Sequence, residues 1–479
     1  MINLKKFRKD IIKVAFARST AGFKELLLLP IIAKGLGAEG YGLWSQSLVT
    51  ISLIVPISSL GLHFAFTRFF SGEKENKTLS SGFWSTFIIS TSVSFLFASF
   101  IYFFASNFSS LIFDSSEFEN IVFLLSLTII LWNIERLCFN FFRSQSNMGY
   151  YSFFFSSKNI FEFLLASYFV ISGFGLYYAL LSLIIVGLVN NLVMLSIIIS
   201  KIGFSTPYFN KSHEHLKFSL PLIPNNLSAW AIQFSDRYII VILIGISSAG
   251  IYSASYTISS PIYLMTLILG FVLTPYLSPL WDKKDKESVE QIIGYSIRYF
   301  LMLGIPMVFG LAMLSKEILI LLADQSFTDY GTTVVPLVAL GMIFMGLGQI
   351  FSQIIIIEKK TYLLTYISFI SAVTNIVLNF NFIPKYGVVG AGYSTVISFF
   401  IFLSLNYYYS IKILTFFLPY KFILKCIFCS IGMSFLIHFI KITNTFSVLI
   451  IITMSFLVYL ILLGLIGEIK YKNLKTAFD

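Results

Sequence analysis

Charge is scarce in this chain. Of its 479 residues only 11% are Asp, Glu, Lys or Arg, against about a quarter in a soluble domain, so water is not its main solvent. Cysteine is nearly absent. The three present, Cys138, Cys426 and Cys429, exclude a disulfide framework, and the lone Cys426-x-x-Cys429 pair has no second pair to complete a metal site, so it reads as helix packing. Four histidines are too dispersed for a ligand set. His213-Glu-His215 reads as a solvated loop pair, and His63 and His438 stand near helix ends. No GxxxxGK[ST] occurs, which excludes a P-loop for ATP. Long polar stretches are also missing, so no soluble domain is large enough to hold an enzyme's site.

Apolar residues fill the space that charge leaves. They make up 57% of the chain, with 53 Phe and 26 Tyr, and the mean hydropathy is +0.86. A membrane-crossing helix needs about 20 mainly apolar residues, because lipid offers no partner for a backbone amide. Fourteen such stretches are expected, near 11–33, 41–66, 82–106, 119–142, 150–172, 176–200, 217–244, 249–280, 290–314, 332–357, 361–381, 388–411, 419–440 and 445–467. The first follows a basic segment (Lys5, Lys6, Arg8, Lys9) but is interrupted by Arg18, Lys24 and Glu25. It therefore reads as an uncleaved first span and not as a signal peptide. The fold class is accordingly an all-α integral membrane protein with about 14 transmembrane helices.

The formal charge of +11 is not gathered into a basic, aromatic-lined patch, which argues against nucleic acid as a partner. It lies in the connections. With the N-terminus placed inside, 21 Lys and Arg fall in inside segments and 4 in outside ones. Basic residues accumulate in cytoplasmic loops, so both termini are expected in the cytoplasm.

A repeat supports the same arrangement. Gly37, Gly42, Leu43, Trp44, Ser45 and Ser47 of LGAEGYGLWSQS match Gly245, Gly250, Ile251, Tyr252, Ser253 and Ser255 of IGISSAGIYSAS at a shift of 208 residues. Weaker echoes stand at Gly175-Leu176-Tyr177 and at GAGYST from Gly390. Six helices separate the two copies, an even number, so the halves share one topology; parallel repeats of this kind tend to enclose a cavity. Helical hairpins in general also favour Gly and an aromatic at the reversal, and that remains the other explanation of the match.

Eight basic residues fall within or beside the spans: Lys13, Arg18, Lys24, Arg136, Lys158, Arg237, Arg298 and Lys425. Each costs at least about 2.5 kcal/mol at the bilayer centre, so a function or a partner is expected. Lys13 and Lys425 can snorkel to the interface. Arg18 and Glu25 share a helix face with Gly22 while Lys24 points elsewhere, and Arg18 either snorkels or lines a cavity. Asn226, Gln233 and Arg237 form a line, flanked by Asn225 and Asp236, on a helix broken near its start by Pro221 and Pro224. Asn133, Arg136 and Asn140 repeat the pattern, as do Ser371, Asn375 and Asn379. Lys158 and Glu162 stand at i, i+4 as a self-neutralising pair. A hydrated cationic cavity of this kind suits an anionic solute such as phosphate. The Asn and Gln stripes serve equally well as glue between helices.

Three segments then resemble one family: LPIIAKGLGAEGYGLWS (29–45), FSLPLIPNNLSAWAIQFSDRYIIVILIGISSAGIYSASYTIS (218–259) and FIPKYGVVGAGYSTVIS (382–398). They are similar to the bacterial polysaccharide repeat-unit flippases, the O-antigen and capsule translocases of the superfamily that also holds lipid II flippases and MATE drug exporters. The resemblance implies two six-helix bundles in a V, at 1–216 and 217–414, with two further helices and a tail at 415–479. It implies a non-enzymatic flippase of the bacterial cytoplasmic membrane that turns an oligosaccharide on undecaprenyl diphosphate to the outer leaflet by alternating access. FARSTAGFKE resembles the first helix of lipid II flippases, with Lys24 where those favour arginine, and Asp236-Arg237 matches a DR of the repeat-unit flippases. Together with the intramembrane stripes, this leads to substrate contacts expected at Arg18, Lys24, Arg136, Arg237, Asn226 and Gln233, and to ion coupling through H+ or Na+ expected at the intramembrane carboxylates Glu25, Asp236 and Glu162. No cofactor or metal is implied. Membrane lipids and polysaccharide assembly proteins are the expected partners. A cation-coupled exporter of small molecules and a repeat-unit polymerase are the alternatives.

Overall fold

The computed structural model describes residues 4–416, 418–440 and 445–468, and the regular structure among them is all helix. Lys441 and the tail residues Lys470, Lys472 and Lys475, which entered the charge asymmetry, lie outside the described residues. In chain order the helices are α1 (Leu4–Ser58), α2 (Leu62–Phe70), α3 (Asn76–Phe103), α4 (Ala105–Phe113), α5 (Glu119–Ser144), α6 (Met148–Ile171), α7 (Leu176–Ile202), α8 (Ser212–Ser219), α9 (Leu222–Leu243) and α10 (Ile246–Ser259). They continue as α11 (Pro261–Asp282), α12 (Lys286–Leu322), α13 (Thr328–Ile357), α14 (Tyr362–Tyr386), α15 (Val388–Ile411), α16 (Tyr420–Phe439) and α17 (Thr445–Leu465).

Among the described residues twelve helical stretches are long and apolar enough to cross a membrane, fewer than the fourteen expected. Two physical reasons account for the difference. The first two expected spans run together as α1, whose helical geometry is interrupted only at Gly37 (φ +70°, ψ −172°). The seventh, α9, has the length but carries Asn225, Asn226, Gln233, Asp236 and Arg237, which dilute its apolar character.

The chain packs as two compact units, residues 1–253 and 254–479. In the first, α1 lies along α6 and α5, and α5 lies along α3 and α7. An aromatic cluster closes one end: Phe66 stacks on Phe70 and meets Phe83 and Phe141 edge-on or stacked, at centroid distances of 5.0, 5.9 and 6.2 Å. Phe66, Phe83 and Phe142 are wholly buried. In lipid, contacts of this kind hold helices together by dispersion, since the tails are as apolar as the side chains.

The repeated segments meet within this unit. Ser45 Oγ donates to Ser253 Oγ at 3.0 Å, and these two residues stand 208 positions apart, the shift of the repeat itself. A Cβ added to Gly42 would collide with the carbonyl oxygen of Ile246, and one added to Gly250 with that of Ala38. Ala38 and Ile246 are again one repeat apart. Residue i therefore meets the repeat of j, and j the repeat of i, which is the reciprocal pattern of a twofold contact. Glycine is required at both positions because backbone lies on backbone.

In the second unit α13 is central and packs on α15, α12 and α11, presenting Val334, Val338, Met342 and Ile354 fully buried. The Asn375 amide donates to Ser398 Oγ at 3.1 Å and that of Asn379 to Asn375 Oδ1 at 2.9 Å, so this stripe joins α14 to α15. α16 and α17 pack on α12, where Tyr459 donates to the Met302 carbonyl at 2.8 Å. Cys426 and Cys429 are free and buried. Beyond α17, Glu468 accepts from Lys425 at 2.7 Å and Arg298 at 2.6 Å. The hydrogen bond from Lys425 and the two positive charges hold its carboxyl below the usual carboxylate range.

One reading of the sequence is corrected here. His213 is exposed, but His215 is buried rather than solvated, its ring tilted against Phe69 at 4.8 Å and edge-on to Phe70 at 5.6 Å. α8 turns it inward because its neighbours Phe69 and Phe218 also meet there, at 5.7 Å.

Gly250→Ala should lower thermal stability by roughly 1–3 kcal/mol through overpacking. Gly294→Ala, where a Cβ meets nothing within 4 Å, should instead be neutral or stabilising by about 0.5–1 kcal/mol; unfolding of the purified variants in one detergent compares the two. Desolvation holds the His215 imidazole below its ordinary value, so its neutral form is favoured by folding. That contribution is complete above the unfolded value of about 6.5 and is lost as pH falls below it. A melting series from pH 8 to pH 5 should show a decline that His215→Phe reduces.

Candidate functional site

The charges of α1, α5 and α6 converge inside the first unit. Lys158 and Glu162 lie one turn apart on α6 and face the same way. Their own separation is 3.6 Å, yet each has a closer partner on another helix. Lys158 Nζ donates to Glu135 Oε1 of α5 at 2.7 Å, and Glu162 Oε2 accepts from Lys24 Nζ of α1 at 2.9 Å. Lys24 also approaches Glu25 at 3.4 Å. The expected self-neutralising pair is thus the middle of a chain of ion pairs that binds three helices.

All four inner members are buried, with Glu162 at 1% exposure and Lys24 at 9%. Lys158 also lies over the Trp132 ring at 4.6 Å, a cation–π contact that gains strength where water is excluded. Two acceptor oxygens, Glu135 Oε2 and Glu162 Oε1, have no hydrogen bond among the described residues. Coulomb attraction offsets the desolvation of such charges only when the pairing is close, which is the geometry seen.

Two arginines stand beside this chain with no ion pair among the described residues. Arg18 is exposed and lies over Phe155 at 5.4 Å and Tyr151 at 6.0 Å. Arg136, one residue from Glu135, is half-buried, and no hydrogen bond or ion pair of its guanidinium is found among the described residues. Both the Glu135 carboxylate and, more weakly, the Arg18 guanidinium act on the charge of Arg136. Like charges held together in a membrane protein favour binding of an anion, and each guanidinium offers a planar fork that fits phosphate oxygens. Sequence periodicity placed Arg18 with Glu25 and turned Lys24 away; in the fold Lys24 is the inward residue of α1, and Glu25 is 37% exposed.

The side chains of the other polar stripes hydrogen-bond within the protein. Asn133 donates to Ser58 Oγ at 2.7 Å and Ser94 Oγ at 2.6 Å, and Asn140 accepts from Thr67 at 2.8 Å, so among the described residues Arg136 is the member of its stripe whose side chain makes no hydrogen bond. On α9 the Asn226 and Gln233 amides donate to their own helix, to Leu222 O at 2.8 Å and Ala229 O at 3.2 Å, the local back-bonding typical of polar residues inside helices. Arg237 is buried, donating from Nε to Ser253 Oγ at 3.1 Å and from Nη1 to the Gln233 carbonyl at 3.0 Å. Asp236 accepts from the Tyr252 hydroxyl. Arg237 and Asp236 thereby reach the repeat crossing through Ser253, some way along the chain from the α1–α5–α6 cluster. Glu135 and Trp132 are site residues that the sequence did not single out; the signal available was Glu135 standing next to Arg136 in an apolar span. Among the described residues no three His, Cys, Asp or Glu side chains group closely enough for a metal ion.

Comparison with known proteins places this geometry. A probable low-salt glycan biosynthesis flippase of Haloferax volcanii is 25% identical over 225 residues, 47% of this chain and 46% of that protein. A second protein of that organism, a probable flippase, is 26% identical over 36% of this chain and 37% of its own length. The chain thus matches less than half the length of either relative. The fold is that of lipid II flippase MurJ in an inward closed conformation, with TM-score 0.78 at 20% identity over 97% of this chain and 98% of that one. An inward-facing multidrug resistance MATE family transporter of the MOP superfamily aligns with TM-score 0.70 at 14% identity over 83% of this chain and 97% of its own. The MatE family profile matches residues 221–381.

Glu162→Gln should destabilise the protein by about 3–5 kcal/mol, because Lys24 and Lys158 then lose a shared buried counter-ion. Replacing Lys24 and Glu162 together by Met and Leu should cost much less than the sum of the single changes, and thermal unfolding of the four proteins in the cycle measures the coupling. The profile of the family described as polysaccharide biosynthesis protein matches residues 9–281, a stretch that contains every charge of this cluster, and the chain belongs to that family.

Proposed function

We propose that this protein is a flippase for lipid-linked glycan, and that its substrate is an oligosaccharide repeat unit on undecaprenyl diphosphate. The observation that carries the reading is the pair of arginines, Arg18 and Arg136, that stand beside the ion-paired chain with no ion pair of their own among the described residues. A diphosphate supplies the missing negative charge. The ion-paired chain behind them keeps the three helices neutral and rigid, so the arginines are presented on a fixed surface. The names of the relatives, their glycan context and the MurJ-like fold support a lipid-bound sugar as cargo.

In this reading transport needs no covalent chemistry by the protein. Binding stabilises one orientation of an alternating-access carrier, and the substrate shifts the equilibrium only by its differential affinity for the two orientations. Lys24 can exchange Glu162 for a phosphate oxygen, a swap that conserves its pairing. H+ or Na+ at Glu25, Glu162 or Asp236 resets the carrier. The protein acts in the bacterial cytoplasmic membrane with both termini in the cytoplasm, alongside proteins of polysaccharide assembly. Arg237, Asn226 and Gln233 contribute to the substrate path through α9.

A cation-coupled exporter of small molecules is the second reading, favoured by the MatE profile match over 221–381. It calls for a pocket centred on carboxylates. The cluster holds four cations (Arg18, Lys24, Arg136, Lys158) against three carboxylates (Glu25, Glu135, Glu162), which points to an anion.

Arg18→Ala and Arg136→Ala should each lower flipping of a lipid diphosphate oligosaccharide by about 10–100-fold, the range of a hydrogen bond to a charged group. Reconstituted vesicles and an externally added sugar-binding probe would report it. Wild-type flipping by both variants, with normal insertion, would remove Arg18 and Arg136 from the site.

A further inference from the structure

An apolar groove runs between α6 and α7 on the outer surface of the first unit, with a volume of 510 Å³. That lies inside the roughly 300–1,000 Å³ typical of small-molecule sites. Its rims, Phe161, Leu164 and Val189, are more than half exposed, which in a membrane span means facing lipid. It extends along α6 from Phe153 to Tyr168, about 22 Å at 1.5 Å per residue. Half the hydrocarbon core is only about 15 Å, so the groove runs past the midplane and exceeds what one leaflet's acyl chain fills.

Lys158 and Asn190 also line it part-way along, and one end of the groove is polar. Phe153 also lines a second hollow formed with Asp10, Lys13, Asn147 and Tyr150, at the start of α1 and the turn between α5 and α6. Lys13 is only loosely engaged by Asp10, at 4.0 Å. Lys201, at the end of α7, stands over the Tyr150 ring at 4.2 Å. The result is a basic mouth opening into a long apolar channel.

We infer that the groove between α6 and α7 is a loading site for a polyisoprenyl phosphate lipid, its phosphate at Lys13 and Lys201 and its chain laid between the helices. The length of the groove selects a polyisoprenoid over an ordinary phospholipid, and the two lysines supply the complementary charge. The inference rests on the flippase reading and adds to it a separate position at which the lipid waits. From Lys13 the next cation along α1 is Arg18, about 7.5 Å away by helical rise, so a phosphate seated at the mouth is one step from the cluster.

The test is native mass spectrometry of the full-length protein titrated with undecaprenyl phosphate, with phosphatidylglycerol and with inorganic phosphate. Undecaprenyl phosphate should bind at least about tenfold more tightly than phosphatidylglycerol, and free phosphate should not compete. Val189→Trp, which fills the groove, and the double change Lys13→Ala with Lys201→Ala should each weaken it by about tenfold or more. Equal binding of the two lipids, or indifference to these changes, would overturn the site. Should Val189→Trp fail to insert, a photoreactive polyprenyl phosphate on the wild-type protein replaces it: labels within 153–168 and 185–193 support the site, and labels elsewhere overturn it. In the Arg18→Ala, Arg136→Ala double variant, a photoreactive polyprenyl phosphate should still label 153–168 and 185–193 to within about twofold of wild type. Loss of labelling there would assign the lipid to the cluster instead, whereas loss of flipping alone would leave the loading site standing.

Discussion

A charged side chain inside a membrane protein has to find an opposite charge, because neither lipid nor the packed interior can solvate it. The chain of ion pairs from Lys24 through Glu162 and Lys158 to Glu135 meets that constraint and sets the relative positions of α1, α5 and α6. Hydrophobic sequence cannot do so alone. Apolar helices in lipid gain little from choosing one apolar neighbour over another, whereas a buried lysine without its carboxylate costs several kcal/mol. The same pairing leaves Arg18 and Arg136 as the surplus, so the structural solution and the anion site arise from one set of charges.

Close packing of backbone is the second constraint. At the repeat crossing Gly42 and Gly250 let α1 and α10 approach until only carbonyl groups separate them, and Ser45 and Ser253 bridge the contact. Arg237 donates to the same Ser253, which links the polar face of α9 to this crossing. A small-residue contact of this type needs no polar group to hold it, since dispersion over a close surface suffices. Asp236, Arg237 and Tyr252 are therefore added to a crossing whose geometry the glycines already permit.

The remaining intramembrane polar residues sort by length of reach. Short amides such as Asn133 and Asn375 find a neighbouring helix and tie it, and Asn379 backs Asn375 from one turn along the same helix. Among the described residues the amides of Asn226 and Gln233 donate to their own helix backbone. Long cations reach further: Arg298 and Lys425 gather on Glu468 beyond the last helix, and Lys13 and Lys201 flank the mouth of the α6–α7 groove.

Much was legible before any coordinates. The apolar runs of about 20 residues dictate helices because an unpaired amide in lipid is prohibitive, whereas the 208-residue match suggested two halves of one topology and did not say that its two copies would touch at Ser45 and Ser253. Scarcity of charge made each intramembrane ion conspicuous. What helical periodicity could not supply was the partner. Lys158 and Glu162 satisfy each other on a helical wheel, yet their shorter bonds go to Glu135 and Lys24, 23 and 138 residues away, because pairing between helices removes four charges from lipid where pairing within one removes two. Which cation is spent in pairing and which stays free for a ligand depends on distances between helices, and only the tertiary structure decides those.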